Sequence, residues 1–353
     1  MGTPGAERLD RIAEWAGGPA LISHAPDIRW ACGFTGSNAL LLIHEDARHL
    51  ITDGRYTTQA AREVHDAEVH IAEGSLFAYA ARELLEPGRV VLQSEYVTLA
   101  QAGSLSEAND RLELDHRDGL VAAGRANKSL HEVEAIRAAQ ALTESVFLEV
   151  VPRIRAGMSE AELAAELVYA HLKRGASGMS FDPIVAAGPN SAMPHARPGT
   201  RALQVGEPVL IDMGCFLDGY ASDMTRMVHL GPPGPRFLEI HTLVNEALEA
   251  ALAAARAGMQ ASALDETARS IIRRAGFAEH FSHSLGHGVG LEIHEKPAVS
   301  HRSPATLPPN SVVTLEPGVY LPGAFGVRIE DIVVLRPDGC ERLTTLHRDL
   351  TIV

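Results

Sequence analysis

Apolar and polar positions follow two regimes along this chain. Through residues 1–120, short apolar runs alternate with stretches in which apolar residues recur every three or four positions. The runs near 19–23, 38–43 (NALLLI), 48–52, 67–72 and 89–93 predict strands. The stretches 5–16, 55–64, 75–86 and 97–109 predict helices. This alternation predicts an α/β domain of roughly 120 residues. GFTGSN at 33–38 reads as a turn entering a strand rather than a phosphate loop, because no Lys and no helix follow it. No cluster of residues in this half looks like chemistry.

The pattern changes near residues 124–129, and a domain boundary is expected there, giving domains 1–124 and 125–353. Ser129 with Glu132, and Ser159 with Glu162, have the spacing of helix-opening capping boxes. They predict helices from 129 to about 155 and from 159 to about 173, with Gly157 and Gly175 as stops. A strand at 181–187 and a loop at 188–199 follow. Two strands at 208–229 precede helices at 235–257 and 262–275, then strands at 311–316 and 326–335, with one more in the tail 341–353. The fold class expected is α/β (α+β) in two domains.

Composition narrows the partners. The net charge is −14, which argues against nucleic acid or an anionic membrane surface. Cys32, Cys215 and Cys340 are the only cysteines, without a CxxC pair, which suits a reducing cytoplasm. The N-terminus is charged where a secretory signal needs an apolar run, and no apolar run is long enough for a membrane helix. A cytoplasmic protein is expected.

Two pairs of carboxylates stand out. In VLIDMGCFLDGYASDMTRMV (209–228), Asp218-Gly219 is a favoured two-residue hairpin turn. Such a hairpin pairs Leu217 with Tyr220 and Gly214 with Asp223. Asp212, Gly214, Asp223 and Thr225 then share a face, with the two aspartates about 7–8 Å apart and room left between them by Gly214. The apolar run before Asp212 favours a buried strand over a solvated surface hairpin. In VVTLEPGVYLPGAFGVRIEDIVV (312–334), a turn centred on Gly323 brings Glu316 opposite Glu330. Arg328 and Thr314 lie on the same face, and Pro317 and Pro322 warn of irregular pairing. Four carboxylates on one surface repel one another, and divalent cations relieve that repulsion.

SHSLGHGVGLEIHE (282–295) contributes imidazoles from His283, His287 and His294. The His283–His287 spacing imitates a zinc-protease helix, but Ser284 occupies the place of the general base and three glycines disfavour a helix. An extended or looped segment is expected, with its glycines letting substrate approach the backbone. Each histidine, His195 of the 188–199 loop included, also has a plain reading as a solvated or packed side chain. Tyr220 reads more readily as packing than as a pocket residue.

With GPNSAMPHARPG, LIDMGCFLDGYASDMTR, SHSLGHGVGLEIHE, TLEPGVY and VRIEDIVVL, the chain resembles the dinuclear metallopeptidases of the pita-bread fold. Residues 1–120, through GFTGSN and LITDGRY, resemble the additional N-terminal domain of the branch specific for Xaa-Pro bonds. Creatinase shares the two-domain fold without the metal ligands, whereas all five are present here. The resemblance implies metal ligation by Asp212, Asp223, His287, Glu316 and Glu330, with a metal-activated water as nucleophile. It implies that Glu316 acts as general base, that His195 and His294 contact the scissile carbonyl, and that His283 lines the pocket near the proline. Arg328 would steady the carboxylates or bind substrate. It further implies two divalent ions (Mn²⁺ or Co²⁺, with Zn²⁺ or Fe²⁺ as alternatives), a homodimer, and Xaa-Pro dipeptides or short peptides as substrates. Xaa-Pro dipeptidase is the first expectation and aminopeptidase P the second; a metal-free binding module of this fold is the third. Thr225 and Thr314 are added here as supports for the ligands.

Overall fold

A computed structural model of the chain describes residues 4–44 and 47–353. The chain forms two compact units, one ending at Arg125 and the other spanning Ala126–Val353.

In the first unit the apolar runs build one six-stranded mixed sheet. Its spatial order is Glu68–Ile71, Arg48–Thr52, Ala39–Ile43, Ala20–Ile22, Gly88–Gln93 and Leu112–Arg117. Ala39–Ile43 pairs antiparallel with both its neighbours, and the outer pairings are parallel. Leu21, Leu40, Leu42, Ile51, Val90 and Leu92 close one face against Leu76, Phe77, Ala80 and Leu105 from the helical segments. Two elements escaped the periodicity. The helix Ala25–Cys32 is a short one opened by Pro26 and stopped by Gly33 in a left-handed conformation. The strand Leu112–Arg117 is a mostly polar edge.

In the second unit both capping boxes form as expected, opening the helices Leu130–Val150 and Glu160–Lys173. The first stops at Val150, short of residue 155, and a 3-10 turn, Val151–Arg153, continues it. The helices Pro235–Ala254 and Ala261–Arg274 complete the set. The strands Pro208–Met213 and Met224–His229 are apolar on both faces for a structural reason. Val209, Ile211, Met213, Met224 and Val228 pack with the first helix pair. Leu210 and Met227 pack with the second pair.

Both carboxylate hairpins keep the expected register. Leu217 pairs with Tyr220, Met213 with Met224 and Asp212 with Thr225, one continuous register across Gly214. In the second hairpin Gly318 pairs with Arg328 and Leu315 with Asp331. That register places Glu316 opposite Glu330, although both lie between strand segments. There the backbone turns to other partners: Glu316 N–H donates to the Leu285 carbonyl (2.8 Å) and Glu330 N–H to that of Thr225 (3.2 Å). The irregularity foreseen from Pro317 thus joins the second hairpin to the first and to the histidine segment.

Candidate metal centre and substrate cavity

Asp212 and Asp223 lie on the face of the first hairpin shared with Leu210 and Met227, and Gly214 lets its two strands close. A Cβ at Gly214 would stand 2.0 Å from the Ser222 carbonyl oxygen and 2.4 Å from Ser180 Oγ. The room attributed to Gly214 is therefore filled by the protein's own atoms. Beside this hairpin stands the face of the second one that carries Thr314, Glu316, Tyr320, Arg328 and Glu330.

The histidine segment is held from behind. Asp265, fully buried, receives Arg269 (2.6 and 2.9 Å) and the Leu285 N–H (3.0 Å). Arg269 also donates to the carbonyls of Phe281 and His283. Residues 286–288 form a short strand between Glu295–Val299 and Val312–Leu315. Here the glycines serve the chain rather than a substrate. A Cβ at Gly286 would meet the Thr314 carbonyl oxygen at 1.9 Å, and one at Gly290 the Glu295 carboxylate at 2.6 Å. Glu295 in turn is bound by Lys128 (2.8 Å), with the two side chains 2% and 4% exposed. The bend carrying His294 folds around this pair.

The five expected ligands converge on one cavity of about 470 Å³, lined entirely from the second unit. Asp223, His287 and Glu330 each offer a ligand atom within 4.8 Å of the others. His287 Nε2 lies 3.6 Å from Asp223 Oδ2 and 3.6 Å from Glu316 Oε1. Its Nδ1 is 3.1 Å from the Gly288 carbonyl. That carbonyl can only accept, so Nδ1 carries the hydrogen and Nε2 presents a lone pair to the carboxylates. Burial, then His294, holds the His287 imidazole down to about 4, so it does not protonate to relieve them near neutrality.

The carboxylates are themselves short of positive charge. Burial, then Glu330 and the neighbouring acids, pushes Asp223 well above the usual range. Burial, then Glu316 and Asp212, does the same to Glu330. Burial raises Glu316 to about 8 against the opposing pull of Arg328. Asp212 Oδ1 is buried without a hydrogen-bond partner. Four carboxylates, one of them with an orphaned buried oxygen, and one lone-pair nitrogen form a donor set that fits divalent cations.

The surrounding groups fall into two kinds. Arg328 is buried and committed to the protein. It donates to Asp212 Oδ2 (2.6 Å), Thr225 Oγ1 (3.1 Å), Tyr320 Oη (2.9 Å) and the Pro194 carbonyl (3.1 Å). Thr225 passes its hydrogen to Glu330 Oε2 (2.7 Å). Thr314 Oγ1 accepts from the His287 N–H (3.1 Å) and lies 3.5 Å from Glu316 Oε1. His283 is tied down: its Nδ1 donates to the Ser284 carbonyl (2.8 Å), leaving Nε2 to accept from Tyr320 Oη (2.8 Å). His195 and His294 remain exposed on the cavity lining, and the His294 ring stands edge-on to His287 at 4.3 Å. Phe181, Pro183, Ile184 and Pro198 supply apolar wall.

Tyr320, buried behind the lining where it holds His283 and Arg328, was missed as a supporting residue, although its signal was in the sequence. It lies an even number of positions from Glu316 in the same hairpin arm, hence on the same face. Tyr220 packs beside Val133 and Ile136 and also lies outside the cavity lining.

Residues 134–337 match the model of metallopeptidase family M24, and residues 11–127 match the creatinase/prolidase N-terminal domain. An Xaa-Pro dipeptidase of Pyrococcus furiosus is 35% identical over 86% of this chain and 88% of its own length. The solved structure of an Xaa-Pro dipeptidase from Bacillus anthracis superposes with a TM-score of 0.95 at 34% identity, covering 99% of both chains. That of an X-Pro aminopeptidase from Thermotoga maritima superposes at 0.91 with 42% identity, covering 98% of this chain and 100% of its own. The chain belongs to metallopeptidase family M24, with a creatinase/prolidase N-terminal domain ahead of its catalytic domain.

Proposed function

We propose that this chain is a metal-dependent Xaa-Pro dipeptidase, with domains 1–124 and 125–353. The observation that carries the reading is the cluster of buried carboxylates facing the bare Nε2 of His287, in a chain whose relatives include named Xaa-Pro peptidases. Asp212, Asp223, His287, Glu316 and Glu330 are the proposed holders of two divalent ions. Oxygen-rich ligation with one imidazole admits Mn²⁺, Co²⁺, Zn²⁺ or Fe²⁺ without selecting among them, and Mn²⁺ or Co²⁺ is proposed from the resemblance to the family. Such ions, when bound, bring a water's pKa towards neutrality and polarise a carbonyl.

The remaining chemistry belongs to side chains. Glu316 accepts the proton of the attacking water and passes it to the departing proline nitrogen. His195 and His294, on the open side, donate to the oxygen of the scissile carbonyl as it gains charge. His283, fixed by Tyr320, forms the wall beside the proline ring. Arg328 holds Asp212 and the Pro194 carbonyl, and so keeps a metal ligand and the His195 loop in place together.

Arg197 is the other arginine lining the cavity, and it is exposed. We assign it the free carboxylate of a dipeptide, which a guanidinium binds well. The second reading, an aminopeptidase P acting on longer peptides, is favoured by the 42% identity to the Thermotoga enzyme. Hydrolysis of Ala-Pro and Ala-Pro-Ala in defined Mn²⁺ separates the two. The dipeptidase reading expects Ala-Pro to be preferred and Arg197→Ala to raise its KM about tenfold or more; a marked preference for the tripeptide overturns it. A homodimer in the cytoplasm completes the proposal. The metal-free binding module is disfavoured by the complete donor set.

A further inference from the structure

The N-terminal unit holds a second constellation, contrary to the expectation that this half carries no chemistry. His49 lies on the strand Arg48–Thr52, and Glu68 and His70 lie on the edge strand Glu68–Ile71. The strands run parallel, with His49 opposite Glu68 and Ile51 opposite His70. Alternation therefore puts all three side chains on one face of the sheet.

Their donor atoms converge. His49 Nδ1 is 2.9 Å from His70 Nε2, and Glu68 Oε2 is 3.4 Å from the first and 3.7 Å from the second. Ligands about 2.0–2.1 Å from a tetrahedral Zn²⁺ stand roughly 3.3 Å from one another, so this triangle has the right size. The imidazoles are sheltered, at 17% and 15% exposed, while Glu68 is 68% exposed and leaves the triangle's outer side open. Tyr79 Oη approaches His70 Nδ1 at 3.4 Å. A hydrogen on that nitrogen, directed to the phenol, leaves Nε2 free as a ligand, as outer hydrogen bonds do for metal-bound histidines. Burial, then His70, also holds His49 below its usual range, which keeps it neutral near pH 7.

We propose that His49, Glu68 and His70 form a transition-metal site on the N-terminal domain, separate from the catalytic centre and taking Zn²⁺ or a similar imidazole-binding divalent ion. Two imidazoles and a carboxylate suit Zn²⁺, Ni²⁺ or Cu²⁺ better than Mg²⁺ or Ca²⁺. With three protein ligands, a fourth position stays open to water or an outside donor. Occupancy would tie the edge strand to its neighbour.

The test uses the full-length protein equilibrated with Zn²⁺, desalted, and analysed for metal per chain. The wild type is expected to retain one more zinc than His49→Gln/His70→Gln, with Xaa-Pro hydrolysis unchanged between them. Glu68→Gln, at an exposed position, should weaken the extra zinc several-fold without disturbing the fold. In imidazole ¹⁵N spectra, His49 Nδ1 and His70 Nε2 should shift with zinc in the wild type. Equal zinc content in the wild type and Glu68→Gln, with unmoved imidazole resonances, overturns the proposal and leaves the three residues as a hydrogen-bonded patch. The outcome is independent of whether the catalytic domain proves to be a dipeptidase.

Discussion

At the scale of single residues, the site is defined by groups that lack what they need. Asp212 Oδ1 has no partner, His287 Nε2 faces oxygens with a lone pair, and Asp223 and Glu330 are held towards their protonated forms. Asp223→Asn removes a proposed ligand and a crowded buried acid together. It should abolish tight metal binding and lower kcat/KM at least about 10³-fold, since the nucleophile is lost. In metal-free protein the same substitution should hold or raise the melting temperature, because it removes an acid that burial and the neighbouring Glu330, Asp212 and Glu316 disfavour in its charged form. Calorimetric metal titration and thermal melts check both halves; a metal-free variant that melts well below the wild type contradicts this account. The pH dependence has a definite sign. Folded Glu316 keeps its proton to about 8, against 4.5 as its ordinary value. The folded chain therefore binds more protons than the unfolded one in that window, and its stability falls as pH rises. His283 and His287, both held down to about 4, act oppositely, but only below their ordinary 6.5. His49, His171, His241 and His294, also lowered, act in the same sense, and all of these contributions fade as pH rises past the ordinary histidine value, so that approaching pH 8 the carboxylates dominate. Metal-free protein should lose stability there, by about 1.4 kcal/mol per pH unit for each retained proton. Saturating Mn²⁺ should flatten the slope in denaturant titrations.

At the scale of elements, two hairpins and a loop are each fixed by a few contacts. The hairpins were legible because a turn position sets the register and alternation sets the face. Asp218-Gly219 and Gly323 were enough to set each pair of carboxylates, while the meeting of the two pairs rests on contacts between hairpins such as Glu330 N–H to the Thr225 carbonyl. The capping boxes at Ser129 and Ser159 made two helices equally legible. What is not local stayed hidden. The meeting of His49 with His70 depends on which strands are neighbours, and the Arg328–Tyr320–His283 chain depends on two segments stacking. The strand LELDHR, 112–117, is too polar for apolar counting to find. The loop 188–199 that carries His195 is anchored by Glu160, fully buried, which accepts from Ala187 N–H (2.8 Å), Asn190 Nδ2 (3.0 Å) and Gly199 N–H (3.2 Å). Glu160→Gln turns one acceptor into a donor facing these N–H groups. Loosening both ends of the loop should raise KM several-fold with metal content unchanged; unaltered KM and kcat would show that the loop needs no such anchor. Gly286→Ala drives a methyl into the Thr314 carbonyl and should cost about 2–3 kcal/mol in urea unfolding.

At the scale of the molecule, the hydrophobic pattern sorts the chain into its two units, and a second layer of sequence places the chemistry. The Leu210–Met227 face of the first hairpin is core at one end and carries the proposed ligands at the other, so the carboxylates are positioned by the packing that stabilises the domain. Gathering like charges in that place leaves the metal-free fold under electrostatic load, which divalent ions relieve. Among the described residues no helix is long and apolar enough to cross a membrane. The most direct measurement is hydrolysis of Ala-Pro and Ala-Ala by chelator-stripped protein before and after Mn²⁺ is restored. The account predicts no activity without metal, and recovery on Ala-Pro but not on Ala-Ala. Hydrolysis of Ala-Pro that survives verified removal of metal, or none after Mn²⁺ has bound, would contradict it.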